Sequence, residues 1–332
     1  MWLEKQWYRQ SLWQFVLLPL SALFWLLSAL RRAAFRYGWL ASGRLPVPVI
    51  VVGNITLGGS GKTPLVLWLA QFLRQQGYRP GIVSRGYGSS ADEERPVGPG
   101  DDPASSGDEP ALLARKSACP VWIGRDRAAA GRALLAANPD CDVILSDDGL
   151  QHYRLQRDLE IAVVDGQRRF GNGRLLPAGP LREGLWRLRQ VDAVVVNGGR
   201  HLDGLAVQFH MRLDGSQLVN LRTGEKRPPA GLKGLRLHAL AGIGHPQRFF
   251  DQLRALGLDF AAHAFPDHHA YRPGDMDWPD AEALLMTEKD AVKCAAFADE
   301  RYWYLPVEAE MDPLFGAKIL ELLRKRNGRK IA

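Results

Sequence analysis

The first strong pattern along the chain is an apolar run close to its amino terminus. No charged residue stands between Arg9 and Arg31, and the run from Leu12 to Leu30 reads LWQFVLLPLSALFWLLSAL. That length is close to the roughly 20 apolar residues that span the hydrocarbon core of a bilayer. Basic residues and tryptophans gather in and beside the run, as is typical of segments at a membrane interface. They are Lys5, Arg9, Arg31, Arg32 and Arg36, with Trp2, Trp7, Trp13, Trp25 and Trp39.

The pattern predicts a retained membrane anchor over residues 1–40. Gln14, Pro19, Ser21 and Ser28 interrupt the apolar run, so a helix lying in one leaflet is an alternative to a helix that spans the bilayer. A buried core helix is less favoured, because such helices normally keep one polar face. A cleaved signal peptide is also less favoured, because arginines follow the run where a small-residue cleavage site would stand.

The body of the chain alternates short apolar strands with helical patterns. The predicted strands are Val47–Val52, Gly81–Ser84, Val121–Ile123, Val143–Leu145, Leu159–Val164 and Val191–Val196, and the clearest helices are Pro64–Gln76 and Arg127–Ala137. Continuous apolar strands that alternate with helices indicate a parallel sheet covered on both faces. The stretch Ser89–Gly107 is rich in Gly, Pro, Ser and Asp and is predicted to be a mobile surface loop.

The pattern changes after about Gly198. Val207–Leu221 is predicted to form a hairpin, and the Pro/Gly-rich stretch Arg227–Gly234 is predicted to be a linker. A second α/β lobe is expected after it. Its elements would be Leu237–Gly244, Leu284–Asp290, Tyr302–Val307 and a closing helix over Pro313–Arg326. No internal repeat is found.

Composition excludes several classes of protein. With 46% apolar and 24% charged residues in 332, the chain is neither disordered nor collagen-like. Its three cysteines, Cys119, Cys141 and Cys294, are too few and too scattered for a disulfide framework and suggest a reducing cytosol. The net charge of +7 fits an anionic substrate or membrane surface as well as nucleic acid, so charge alone selects no partner.

A glycine-rich loop between the first predicted strand and helix is the central chemical motif. Gly53–Pro64 reads GNITLGGSGKTP, and such a loop directs backbone N–H groups at phosphate oxygens beside a helix N-terminus. Lys62 would add a positive charge at the β- and γ-phosphates, and the Thr63 hydroxyl would bind Mg²⁺. Thr56 replaces the first glycine of the usual P-loop pattern. The other expected nucleotide contacts are Gly58, Gly59, Ser60 and Gly61.

A strand that ends in carboxylates supplies the second part of such a site. Asp142–Gly149 reads DVILSDDG, which places Asp147 and Asp148 at the carboxyl end of a predicted strand, where Mg²⁺ finds oxygen ligands beside the phosphates. A solvated Asp-Asp-Gly turn is the alternative. The predicted fold class is therefore α/β: a P-loop NTPase-like parallel sheet flanked by helices over residues 41–225, a smaller C-terminal α/β lobe over 226–332, and the N-terminal membrane-associated helix.

The motifs together resemble the tetraacyldisaccharide 4'-kinases of lipid A biosynthesis. The resemblance rests on ordered blocks spread from the P-loop to the last third of the chain, and a threonine at the first P-loop position is usual in that family. The blocks are Gly53–Pro64, Ser84–Gly88 (SRGYG), Gly107–Pro110 (GDEP), Asp147–His152 (DDGLQH), Gly179–Glu183 (GPLRE), Phe265–His269 (FPDHH) and Thr287–Asp290 (TEKD).

This resemblance implies transfer of the γ-phosphate of ATP to the 4'-hydroxyl of a tetraacylated disaccharide 1-phosphate, giving lipid IVA. It also implies Mg²⁺, a location at the cytoplasmic face of the bacterial inner membrane, and no nucleic acid or obligate protein partner. Asp108 would be the general base with His268 as its partner, although the neighbouring His269 leaves that choice open. Asp147, Asp148 and Glu183 would serve the metal, with Lys62 and Asp148 acting in catalysis. Thr287, Lys289 and Asp290 would face the adenine side.

Four further residues in these blocks are candidates for substrate contact: Arg85, Gln151, His152 and Arg182. Each role has a plainer alternative. Asp108 is also suited to cap a helix, His268 to be a packed or surface imidazole, and Arg182 with Glu183 to form a solvated ion pair. An aspartate alone is a weak base, and a neighbouring imidazole orients it and shares the proton, so an Asp–His pair suits phosphoryl transfer to a hydroxyl.

Two other classes of function compete with the kinase. One is a P-loop GTPase or metallochaperone switch in which Thr287–Asp290 recognises guanine. Against it, the usual guanine-recognition order has one residue between lysine and aspartate, whereas Lys289 and Asp290 are adjacent. The other is a non-enzymatic membrane protein that binds ATP for assembly, and it predicts no chemistry at Asp108.

Overall fold

Two β-sheets, each covered by helices, organise the chain. The structure is a computed structural model that describes residues 6–9, 12–86, 93–205 and 207–328, with side chains described as far as residue 326. It confirms the predicted α/β class. Trp2, Lys5, Tyr87, Gly88 and the opening residues 89–92 of the predicted mobile loop lie outside the described residues.

The secondary structure follows the predicted alternation closely in the first half. The strands are β1 (Val49–Gly53), β2 (Pro80–Ser84), β3 (Arg95–Val97), β4 (Val121–Ile123), β5 (Val143–Ser146), β6 (Leu159–Asp165), β7 (Ala193–Asn197), β8 (Gln208–Asp214), β9 (Leu218–Asn220), β10 (Lys226–Arg227), β11 (Leu237–Ala241), β12 (Ala261–Ala264), β13 (Ala283–Thr287), β14 (Tyr302–Leu305) and β15 (Glu308–Met311). The α-helices are α1 (Trp13–Val16), α2 (Leu18–Arg36), α3 (Lys62–Gln75), α4 (Pro103–Ser106), α5 (Asp108–Lys116), α6 (Arg127–Ala137), α7 (Pro246–Ala255), α8 (Glu288–Cys294) and α9 (Pro313–Gly328). Short 3-10 helices cover Leu185–Arg189, Pro229–Leu232 and Pro273–Met276.

The larger sheet has nine strands in the order β15-β8-β7-β6-β1-β5-β2-β4-β3. The strands from β8 to β4 run parallel, and β15 and β3 are antiparallel edges. Strand β1 pairs with β5 and β6, so the segments that follow these three strands emerge at one edge of the sheet. In open parallel sheets this edge is where ligands bind. We call this sheet and its helices the first lobe.

The smaller sheet, which with its helices forms the second lobe, has six strands in the order β10-β9-β14-β13-β11-β12. Strands β14, β13, β11 and β12 are parallel, and β9 and β10 form an antiparallel edge. The chain passes between the lobes twice, after β8 and after β14. The core of the second lobe contains Phe249, Phe250, Leu285 and Trp303.

Three predictions about the second half need correction. Val207–Leu221 is not a hairpin, because β8 pairs with β7 and β15 in the first lobe whereas β9 pairs with β10 and β14 in the second. Arg227–Gly234 is not a free linker, since Arg227 pairs with Leu218 and Leu232 is buried in the second core. The closing strand and helix also return to the first lobe, where α9 buries apolar side chains against the large sheet.

The expected surface loop before Asp108 also contains regular structure. Arg95–Val97 pairs with β4 as an edge strand, and Val97 is buried in the first core. Asp102 then caps α4 by accepting a hydrogen bond from the backbone N–H of Ala104. The described part of the segment is therefore packed against the first lobe.

Helix α2 leaves most of its apolar surface exposed. Among the described residues it is the helix that is long and apolar enough to cross a membrane, by length and composition. Leu23, Leu27 and Leu30 are each more than half exposed. The side that faces the protein carries Ser21, whose hydroxyl donates to the carbonyl of Leu175 and accepts from the N–H of Ala178, at 2.9 and 3.0 Å.

A short segment, which we call the strap, joins this helical segment to the glycine-rich loop. The strap, residues 175–182, also accepts a hydrogen bond from the indole N–H of Trp7 at the carbonyl of Pro177. At its other end, Leu181 bridges Thr56, and the N–H of Leu57 donates to the carbonyl of Pro180. The amino-terminal segment and the loop are therefore attached to the same few residues.

Candidate active site

The glycine-rich loop lies between β1 and α3, as the sequence predicts. Gly61 adopts φ +95°, and a Cβ there would clash with the amide nitrogen of Asn197, so glycine is required by both conformation and space. The loop is held by Asn54, which donates to the carbonyl of Gly58, and by Asn197, which donates to the carbonyl of Ser60. The first N–H groups of α3 lack helical acceptors and point from the helix toward this loop.

The loop forms one wall of a large cleft between the two lobes, of about 1510 Å³. Gly58, Gly59, Ser60, Gly61, Lys62 and Thr63 all line it. Thr56 does not; it is buried, and its backbone pairs with Leu181. The first position of the motif therefore connects the loop to the strap.

Asp148 lies opposite Lys62 and is held by cations. Its carboxylate is 3.7 Å from the Lys62 ammonium, and it receives two hydrogen bonds from the Arg182 guanidinium, at 2.9 and 3.2 Å. Burial opposes ionisation of Asp148, but Lys62 and Arg182 outweigh burial and lower its pKa. Asp148 is thus a carboxylate, and Arg182 pairs with it and with Asn54 rather than with Glu183.

Asp147 is the buried carboxyl group that fits a metal ligand. It is 1% exposed, and neither of its carboxylate oxygens has a hydrogen-bond partner among the described residues. Burial, with repulsion from Glu109, raises its pKa to about 7. A buried carboxyl group without donors is costly unless a cation compensates it. Mg²⁺ fits this arrangement, because it needs only one or two carboxylates together with phosphate oxygens and water.

No cluster of three or more His, Cys, Asp or Glu side chains in the described part of the chain could hold a metal by itself. Glu183, predicted as a further metal residue, is occupied elsewhere. Its carboxylate accepts from Tyr153 and, at 2.9 Å, from Gln151, and the Arg187 guanidinium lies 3.7 Å away. The structure therefore surrounds Glu183 with protein partners, and its role at a metal stays a prediction.

Asp108 and His268 meet across the cleft. The Nδ1 atom of His268 lies 3.1 Å from both carboxylate oxygens of Asp108, although the residues are 160 positions apart. Asp108 is the first residue of α5 and Gly107 is its N-cap, so Asp108 is not the cap. His269 instead contacts Asp275 and packs against Phe265 and Tyr271. The structure therefore selects His268 as the histidine in contact with Asp108.

Charge around this pair stabilises the ionised forms. The pKa of Asp108 is about 2: burial would raise it, but the hydrogen bond from His268 and the charge of Lys289 lower it further. The hydrogen bond to Asp108 raises the pKa of His268. With a pKa this low, the Asp108 carboxylate is fully ionised at neutral pH.

The block Thr287–Asp290 is placed differently from the prediction. Asp290 is fully buried, where it accepts from the backbone N–H of Gly242 and pairs with Lys293 at 2.8 Å. Direct contact between Asp290 and an adenine or guanine base is therefore excluded in this conformation. Thr287 and Lys289 do line the cleft, but Lys289 faces carboxylates of the protein. The sequence-based nucleotide role is corrected for Asp290.

The remaining predicted substrate residues all lie on the cleft wall. Arg85 is exposed there, and Gln151 donates to the carbonyl of Asn54. His152 has no partner on Nε2 among the described residues, and burial together with the charge of Arg127 lowers its pKa to about 3. His152 is thus a neutral imidazole at neutral pH, suited to hydrogen bonding rather than to ion pairing.

The structure adds site residues that sequence reasoning missed. Gly244, just before α7, touches the glycine-rich loop at Gly58 and Gly59 and accepts a hydrogen bond from Arg168 at 2.6 Å. His245 and Arg248 pair with Asp165, the last residue of β6, at the same sheet edge as Asp147. The signals were an aspartate at a strand end and the Gly-His-Pro start of a helix, but nothing local connects two segments about 80 residues apart.

Comparisons with known proteins agree on one family. The family model for tetraacyldisaccharide-1-P 4'-kinase matches residues 13–324. The tetraacyldisaccharide 4'-kinase of Methylobacillus flagellatus is 51% identical over 98% of this chain and 96% of its own length, and that of Nitrosococcus oceani is 50% identical over the same shares. The crystal structure of LpxK from Aquifex aeolicus in complex with ATP matches with a TM-score of 0.79 at 31% identity, covering 94% of this chain and all of that one.

Proposed function

This chain belongs to the tetraacyldisaccharide 4'-kinase family, and from that premise we propose how its cleft carries out the reaction. It is a phosphotransferase that transfers the γ-phosphate of ATP to the 4'-hydroxyl of tetraacyldisaccharide 1-phosphate and gives lipid IVA in lipid A biosynthesis. The contact between Asp108 and His268, in the cleft lined by Lys62, is the observation that carries the residue assignments.

Asp108 is the proposed general base for the 4'-hydroxyl. As the γ-phosphate is transferred, the hydroxyl proton passes to a carboxylate oxygen of Asp108, which His268 holds in place and relieves by sharing the proton. The new O–P bond forms while the bond from the γ-phosphorus to the bridging oxygen of ADP breaks, and ADP leaves with that electron pair. Phosphoryl transfer needs mainly this positioning and charge neutralisation.

The glycine-rich loop and its cations are proposed to hold the triphosphate. Backbone N–H groups of Gly58–Thr63 and the ammonium of Lys62 would bind the phosphate oxygens, and Arg182 keeps Asp148 in its place beside Lys62. Thr63, Asp147 and Asp148 would hold Mg²⁺, which when bound would neutralise negative charge on the β- and γ-phosphates. Arg85, Gln151 and His152 on the cleft wall would contact the sugar head group.

A transfer assay tests this assignment directly. The purified full-length chain, given ATP, Mg²⁺ and tetraacyldisaccharide 1-phosphate in detergent micelles, is expected to yield a lipid with one additional phosphate. A chelator should abolish the yield, and GTP should compete poorly with ATP because Asp290 is buried. No phosphorylated lipid, or a strong preference for GTP, would contradict the proposal.

Helix α2 is proposed to hold the enzyme at the cytoplasmic face of the inner membrane. Its exposed leucines offer apolar surface, and Arg31 and Phe35 near its end line the same cleft as Lys62. Arg32 lies over the ring of Trp186 at 3.8 Å, which fixes the end of the helix to the first lobe. Acyl chains would then remain in the lipid phase beside α2 while the sugar reaches the cleft.

Membrane binding is expected to depend on one exposed face of α2. The triple variant Leu23→Ser, Leu27→Ser, Leu30→Ser should bind anionic vesicles at least ~10³-fold more weakly, because burying each of the three leucines contributes about 1.5–3 kcal/mol. Its thermal stability should be unchanged, since all three side chains are exposed. Leu314→Ser, at an exposed leucine of α9, is the control and should bind vesicles as the native chain does. Undiminished binding by the triple variant in cosedimentation would refute the role of this face.

A further inference from the structure

Helix α8 of the second lobe meets helix α5 of the first lobe through charged side chains. Glu288 pairs with Lys116 at 2.9 Å, and the next residue, Lys289, pairs with Glu109 at 3.2 Å. The TEKD block is therefore an interlobe contact, a role different from the nucleotide contact predicted from its sequence.

Lys289 contacts both sides of the catalytic pair. Its ammonium lies 3.5 Å from Asp108, 3.2 Å from Glu109 and 3.4 Å from Asp267, the residue that precedes His268. An ammonium carries three donors, which matches three carboxylates. The side chain is only 17% exposed, so these contacts are largely shielded from water. One cation thus links the helix that bears Asp108 with the loop that bears His268.

The backbone of Lys289 is held in place by the other residues of the Thr287–Asp290 block. Thr287 caps α8 by accepting from the N–H of Asp290, and its hydroxyl donates to the Asp290 carboxylate at 2.6 Å. Asp290 in turn accepts from the backbone N–H of Gly242, at the start of the segment that reaches the glycine-rich loop. Because Asp290 is fully buried and paired with Lys293, α8 has little freedom to move relative to its own sheet.

We propose that Lys289 is a positioning residue for Asp108: it docks the second lobe on α5, sets the Asp108–His268 contact and places a positive charge beside the Asp108 carboxylate. The inference rests on the proposed role of Asp108 as the base. Electrostatics agree with the geometry, because Lys289 is among the groups that lower the pKa of Asp108. The charged groups that face Asp108 are His268, Lys289, Lys293, Glu109 and Asp267.

The test compares Lys289→Met with the native chain over a range of pH. We expect kcat to fall on the order of 10²-fold, as for a misplaced catalytic group. The acid limb of kcat/KM should move to higher pH by about one unit, because a nearby positive charge is lost. ATP affinity should be unchanged. Lys289→Arg, which keeps the charge, should restore the acid limb. Lys116→Met breaks the neighbouring interlobe pair without touching Asp108 and should leave the limb unmoved.

The outcomes separate this inference from the proposed function. If Asp108→Asn abolishes turnover while Lys289→Met leaves both kcat and the acid limb as in the native chain, Lys289 has no positioning role. The inference would also be overturned if the Lys289→Met and Lys116→Met chains lose melting temperature equally and the acid limb of kcat/KM does not shift. Lys289 would then only hold the two lobes together. If Asp108→Asn retains turnover, the proposed base is wrong. Should Lys289→Met fail to fold, Lys289→Gln, which keeps two N–H donors without charge, is measured against the same criteria.

Discussion

Asp108→Asn is expected to lower kcat by roughly 10³-fold while ATP affinity stays close to the native value. Asparagine has nearly the same shape but cannot take up the proton of the sugar hydroxyl, and general-base catalysis contributes about 10²–10⁴-fold. The fold should survive, because Asp108 is not the cap of α5 and an amide oxygen can still accept from the N–H of Glu109. Steady-state kinetics and ATP titration of the same preparation measure the two quantities.

Asp102→Asn is the matched control for this prediction. Asp102 lies shortly before Asp108, is exposed and caps α4, a role that asparagine also fulfils. Its variant removes the same charge from the same region and should retain full turnover. A parallel loss of turnover and ATP affinity in Asp108→Asn would show that Asp108 maintains the structure rather than accepting a proton.

Lys62→Met is expected to weaken ATP binding and to lower kcat by about 10²–10³-fold. The Lys62 side chain is only 11% exposed at the cleft wall, so its charge would act on phosphate oxygens with little screening by water. The Asp108 and Lys62 variants are therefore expected to differ, since only Lys62→Met would remove part of the proposed nucleotide site and weaken ATP binding. Both parameters come from the transfer assay with ATP varied.

The Lys62 variant should still fold. Asp148 keeps its two hydrogen bonds from Arg182 after Lys62 is lost, so no buried carboxylate is left without a partner. Lys318→Met, on the outer face of α9, is the control and should behave as the native chain. Native ATP affinity in Lys62→Met would show that the Lys62 ammonium of this loop does not bind the triphosphate.

The local sequence determined much of the first lobe. The bounds predicted for Val121–Ile123 and Arg127–Ala137 agree with the structure, because strongly apolar strands and an alanine-rich helix are bounded by turn residues. The sheet partner of a strand is a different matter. Strand β8 lies close in sequence to β9 but pairs with β15, about 100 residues later, and no local pattern records such a pairing.

The candidate site likewise contains contacts that the local sequence predicts and contacts that it does not. Lys62 and Asp148 follow neighbouring parallel strands, so the fold class alone brings them to one edge. The contact of Asp108 with His268 joins two lobes, and only the family resemblance led to it. The nucleotide role of Asp290 came from the resemblance alone, and the sequence does not show that its side chain is buried, where it accepts a hydrogen bond from the backbone N–H of Gly242.

Through the strap at residues 175–182, the amino-terminal segment supports the glycine-rich loop in addition to its proposed attachment to the membrane. Trp7 and Ser21 hydrogen-bond its carbonyl and amide groups on one side, and the glycine-rich loop pairs with its other side. A chain shortened to remove this apolar amino-terminal segment would expose those polar groups. The strap would then hold Thr56 and Leu57 less firmly. Low activity in such a shortened enzyme would thus reflect weaker ATP binding at the glycine-rich loop as well as lost binding to lipid. Detergent could restore only the access to lipid.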